Sequence, residues 1–155
     1  MSDSEAIGAG VEQMPELAAD IFEAAGTLRR QGEMIAAQEG QSQARWQVLH
    51  VIGPRPKTVP QIARRLGITR QAVQRVINDL LAQRLVAQVA NPDHRTSPLI
   101  GLTDDGTATL DRLTARARAY NQAVADALGD CDVNALRRGL QTLIQAVQPQ
   151  IDGRP

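Results

Sequence analysis

The stretch "IARRLGITRQAVQRVIND", residues 62–79, constrains this chain more than any other. Ile62, Ala63 and Leu66 share one helical face. The pattern halts at Gly67, and after Thr69 it resumes through Val73, Val76, Ile77 and Leu80. Two helices that cross closely need a small residue at the crossing, and Ala63 supplies it. The tight turn between them favours a residue without Cβ, and Gly67 supplies that. A branched residue on the second helix packs back across the pair, and Val73 stands there. Ala, Gly and Val at spacings of four and six define a helix-turn-helix.

The flanking signals extend it. Pro15 opens a helix over about 15–38, in which Leu17, Ala18, Ile21, Ala24, Ala25 and Leu28 form an apolar stripe and Gly26 and Gly32 are weak points. Ser42 caps a second helix that carries Trp46, Leu49 and the apolar cluster at 48–52, and "GPRP" at 53–56 stops it. "TVPQ" at 58–61 is a Thr-x-x-Gln capping box for the third, and Thr69 caps the fourth. "VAQVA" (86–90) and "PLIGL" (98–102) read as strands, with the turn-forming "NPDHRTS" between them, hence a hairpin. Thr103, followed by Asp104 and Asp105, starts a fifth helix running to about 128. Asp132 caps a sixth that ends near Pro149. The expected fold is mainly α with a small β-hairpin wing. A winged helix-turn-helix domain over 41–103 lies between an N-terminal helix (1–40) and C-terminal helices (104–155). The two outer regions carry apolar stripes that cover each other either across a two-fold axis or inside one monomer.

Net charge is zero, but it is segregated. Residues 41–103 hold nine Lys or Arg against Asp79 and Asp93, whereas residues 1–40 hold two Arg against eight acids. A basic middle gives one surface a field suited to a polyanion despite overall neutrality. Aromatics are only Phe22, Trp46 and Tyr120, so the core must be aliphatic. One cysteine, Cys131, excludes an internal disulfide framework, and its acidic neighbours Asp130 and Asp132 work against thiolate reactivity. No apolar run approaches the ~20 residues that span a bilayer, and the acidic N-terminus lacks a signal-peptide pattern, so a cytoplasmic protein is expected. Two histidines and one cysteine, without HExxH, CxxC, a phosphate loop or a nucleophile elbow, argue against an enzyme, a metal site or a cofactor.

"RWQVLHVIG", "TVPQIARRLGITRQAVQRVINDLLAQRLV" and "NPDHRTSPLIGLTDDG" together resemble the multiple-antibiotic-resistance regulator (MarR) family of bacterial transcription factors. The wing pattern Asp93-x-Arg95, then Leu102-Thr103 and Gly106, is the most specific part. The resemblance implies a homodimer whose terminal helices interlock. It also implies a regulator, commonly a repressor released by a small molecule, binding a palindromic operator in double-stranded DNA. The sequence departs from the family at Arg84, where Gly is usual, at Gln88, where a base is common, and at Leu81, where an acid is usual.

The expected DNA contacts follow from position. Thr69, Arg70, Gln71, Gln74 and Arg75 lie on the exposed N-terminal part of the second helix of the pair. Arg suits guanine there, and Gln suits adenine. Ser42, Arg55, Lys57 and the helix at 60–66 flank the phosphate backbone, although within that helix Arg64 and Arg65 read as solvated side chains more often than as contacts. Arg95 at the wing tip suits a narrow minor groove, and by the resemblance Asp93 orients an arginine. The resemblance also implies a small-molecule cleft between the dimer helices and the winged helix. Trp46 and His50, one turn apart, are the candidate lining. A winged helix that binds another protein and barely touches DNA is the competing reading.

Overall fold

The computed structural model describes residues 10–92 and 97–152, with side chains to 148. The described elements are α1 (Met14–Ala37), α2 (Gln43–Ile52), α3 (Val59–Leu66), α4 (Arg70–Ala82), β1 (Val86–Val89), β2 (Leu99–Leu102), α5 (Asp104–Leu128) and α6 (Val133–Asp152). The chain divides into two compact units, Met1–Ala117 and Arg118–Pro155.

Local chemistry fixes the helix ends of the first unit. Ser42 Oγ accepts from the Arg45 backbone N–H, which starts α2. Thr58 and Gln61 form a reciprocal capping box at α3, and Thr69 Oγ1 accepts from Ala72 N–H at α4. Gly67 ends α3 at φ 66°, the left-handed conformation that glycine adopts most cheaply. Ala63 and Val73 are both buried, as the crossing requires. Around them Val48, Leu49, Ile52, Ile62, Ile77, Leu80, Ile100 and Leu113 form one aliphatic core.

β1 and β2 pair antiparallel, with Val86 opposite Leu102 and Val89 opposite Leu99. Each strand is one residue shorter than the sequence pattern suggests. Lys57 adds a third segment: its N–H donates to Ile100 O at 3.1 Å and its carbonyl accepts from Ile100 N–H at 2.8 Å. Beyond the C-terminal end of α4, Arg84 takes φ 59°, a left-handed conformation that a residue with a Cβ adopts at a cost glycine does not bear. Beyond the hairpin, a Cβ on Gly106 would lie 1.9 Å from Leu85 O, so only glycine lets α5 start there. In α1, Gly32 does not interrupt the helix. It admits the Gln43 side chain, which a Cβ would overlap.

The second unit contains the end of α5, a turn with Gly129 at φ 54°, and α6. Asp132 Oδ1 accepts from the N–H groups of Asn134 and Ala135 and so caps α6. α6 runs through Pro149 to Asp152, beyond its expected end. A proline removes one backbone donor, and that loss does not stop a final turn. Val133, Leu136, Leu140, Ile144 and Val147 recur along α6 at helical spacing and are all exposed. In the first unit Met14, Leu17, Phe22 and Leu28 of α1 are likewise exposed, Phe22 at 78%. No helix of the described residues is long and apolar enough to cross a membrane.

Candidate nucleic-acid interface

α4 buries Val73, Ile77 and Leu80 and therefore turns Arg70, Gln71, Gln74 and Arg75 outward. All four are exposed, as is the capping Thr69. Arg70, Gln71 and Arg75 have no side-chain hydrogen bond or ion pair among the described residues, so their donors are open. Gln74 is partly engaged: its Nε2 donates to Asn78 Oδ1 at 2.9 Å, which leaves its carbonyl oxygen outward. The Thr69 hydroxyl accepts the cap bond and retains a proton to donate.

Beside the helix pair lies a group of cations. Arg55 is exposed and Lys57 half-buried. Burial, then the neighbouring Arg55 and Arg65 guanidinium groups, hold the Lys57 ammonium below the usual lysine range. Among the described residues Lys57 Nζ has only the Arg55 carbonyl, at 3.5 Å, as a partner. None of Arg55, Lys57 and Arg65 is in an ion pair among the described residues, which leaves the three charges open to an anion. Arg65, expected to be simply solvated, thus stands close enough to Lys57 to act on it. Ser42 is not with this group. It sits at the opposite end of α2, ten residues and ~15 Å of helix away. Asp93 and Arg95 lie outside the described residues.

Trp46 and His50 part company. Trp46 is half-buried against the core. His50 is exposed and lines a groove of about 580 Å³ with Pro56, Val89, Leu102, Leu110 and Asp111. Trp46 takes no part in that lining. A helical spacing of four puts two residues on one side of a helix, but it does not place both at one cavity. Among the described residues no group of His, Cys, Asp and Glu is arranged to hold a metal ion.

Sequence reasoning missed Arg45. Its Nη2 donates to Asp79 Oδ2 at 3.0 Å and ties α2 to α4. Asp79 alone offered a signal, as an acid on an otherwise basic helix, and its partner stands too far away in the chain to be read from spacing.

A paired-helix motif with an adjoining hairpin and an open row of Arg and Gln defines a winged-helix DNA-binding transcriptional regulator. The MarR family model matches residues 40–95. The uncharacterized proteins Rv2011c of Mycobacterium tuberculosis and Mb2034c of Mycobacterium bovis are each 50% identical over 139 residues, covering 90% of this chain and 97% of their own. The structure of the M. tuberculosis regulator MosR in complex with DNA matches with a TM-score of 0.69 at 24% identity, covering 84% of this chain and 95% of MosR. CouR from Rhodococcus jostii RHA1, bound to p-coumaroyl-CoA, matches with a TM-score of 0.74 at 19% identity, covering 83% of this chain and 91% of CouR. The chain belongs to the MarR family.

Proposed function

We propose that this chain is a homodimeric repressor that binds a palindromic operator and is released by a small-molecule effector. The open donors of Arg70, Gln71 and Arg75 on α4 carry the reading, because a major groove admits one helix and presents acceptors that such side chains pair with. Thr69 and Gln74 complete that face. Arg55, Lys57 and Ser42 contact phosphate, and Arg95, oriented by Asp93, enters the minor groove from the wing. The N-terminal helix region (1–40) and the C-terminal helices (104–155) form the dimer, which covers the exposed stripes of α1 and α6. The DNA complex of MosR supports the nucleic-acid partner. The ligand held by CouR supports an effector, for which the groove beside His50, on the same helix as Trp46, is the candidate site.

Fluorescence anisotropy on the footprinted promoter DNA and on a scrambled duplex, at one fixed salt, tests the reading. Arg75→Ala weakens the operator and leaves scrambled DNA nearly unchanged, since one bidentate base contact is worth ~1–3 kcal/mol of discrimination. Arg95→Ala weakens many sequences, most of all those with A·T-rich flanks. Equal loss on both duplexes for Arg75→Ala removes its base-reading role. No binding by the parent protein removes DNA recognition and leaves a protein-binding winged helix.

A further inference from the structure

Asp79 follows Arg75 by one turn on α4, the spacing at which opposite charges pair on a helix surface. The two do not pair. Asp79 instead accepts from Arg45 Nη2 at 3.0 Å. Arg45 belongs to the first turn of α2. That turn is anchored by the Ser42 cap and by Gln43 N–H, which donates to Glu33 Oε2 at 2.8 Å. A second bond ties the same regions, from Gln41 Nε2 to Gln83 Oε1 at 2.9 Å. The Arg45 side chain is 26% exposed and that of Asp79 57%, so the cation is the packed partner and the carboxylate reaches to it. Arg75 is left exposed and unpaired among the described residues.

We propose that Arg45 is a positioning residue for DNA reading: by holding Asp79 it keeps Arg75 free to reach a base. This rests on the reading of Arg75 as a base contact. A carboxylate takes an arginine through the same N–H fork that guanine needs, so Asp79 and the operator compete for one set of donors. An Asp79 released from Arg45 fills that fork in the free protein. Arg45 thereby acts on recognition from α2, without contacting DNA itself.

The test is a set of full-length variants titrated by anisotropy on operator and scrambled duplexes at fixed salt. Arg45→Ala is expected to weaken operator binding about twofold per subunit, the scale of one pair on a helix surface, and to narrow the ratio between operator and scrambled DNA. Adding Asp79→Asn is expected to restore both values. In an Arg75→Ala background, Arg45→Ala is expected to add nothing. Arg45→Gln repeats the comparison with a longer side chain if Arg45→Ala unfolds, as thermal melts will show. Loss that persists in the Arg75→Ala background, or that Asp79→Asn fails to restore, overturns the proposal and makes Arg45 a phosphate contact or a field effect. An operator affinity unchanged by Arg45→Ala and Arg45→Gln overturns it too. If Arg75→Ala itself has no effect on the operator, the base-reading role fails first, which separates the two failures.

Discussion

The Thr103 hydroxyl donates to the Arg84 carbonyl at 2.7 Å and accepts from Gly106 N–H at 3.0 Å. One side chain thus joins the end of the α4 cap to the start of α5. Left-handed backbone costs a residue with a Cβ ~1–2 kcal/mol, and at Arg84 this bond helps to hold it in place. Arg84→Gly is expected to raise the unfolding free energy by ~1 kcal/mol, less the extra entropy glycine gains when unfolded. Thr103→Val is expected to lower it by ~1–2 kcal/mol. Urea denaturation of both variants measures the signs, and a loss of stability in Arg84→Gly contradicts the strain assigned to that cap.

Gly106→Ala places a methyl group against the Leu85 carbonyl, which is backbone and cannot turn aside. We expect a loss of at least ~2 kcal/mol. The thermal midpoint reads it, and an unchanged midpoint contradicts the close approach of α5 to the end of α4.

Glu39 takes Arg112 Nε on Oε2 at 2.8 Å and Arg116 Nε on Oε1. The hydrogen bonds from Arg112 and then Arg116 hold its carboxyl below the usual range. A carboxyl lowered in the folded state contributes stability above its unfolded pKa and loses it as pH falls through the folded value. Glu39→Gln should therefore cost stability at neutral pH and flatten the acid limb of the stability curve below about pH 4. Denaturation at neutral and acid pH checks this. Parallel curves for the two proteins count against it.

The cation group makes a salt prediction. Removing one phosphate-binding cation makes the slope of log K against log salt shallower by ~0.9. Lys57→Ala and Arg55→Ala should each reduce it by about that amount and weaken operator and scrambled DNA alike. Arg65→Ala, read as solvated in sequence but close to Lys57, should do the same. Titrations at several salt concentrations give the slopes, and a slope unchanged by all three substitutions takes phosphate away from this group.

Leu140→Asp puts a charge in the middle of the exposed α6 stripe. Sedimentation equilibrium at micromolar concentration should show the parent as a dimer and the variant as a species near 16.7 kDa. A monomeric parent removes the proposed dimer.

The caps at Ser42, Thr58, Thr69 and Asp132 were legible because each joins residues within three positions of one another. The helix pair was legible for the same reason, since Ala63, Gly67 and Val73 act through local geometry. At Arg84 only the family resemblance, with its usual glycine, pointed to a special backbone position, and the φ of 59° is found there. What stayed hidden depends on distant partners. Glu39 meets Arg112 and Arg116 across most of the first unit, and nothing in "QEGQ" announces it. Arg45 looked like any solvated arginine. Trp46 and His50 were grouped by helical spacing, yet the groove that takes His50 is shaped by Pro56, Val89 and Leu110 from other elements.

The Lys57–Ile100 bridge closes a long loop. Between its two partners run α3, α4 and β1. The hairpin can zip from its own turn, but this third segment has to wait until the helix pair has brought its ends together. Closing so long a loop carries an entropic cost that only the packed helices offset. On loop-closure grounds the helix pair is expected to form first, with Lys57 docking on the hairpin afterwards. A chain short of that step is expected to have α4 in place and Lys57 still unfixed by the bridge to Ile100.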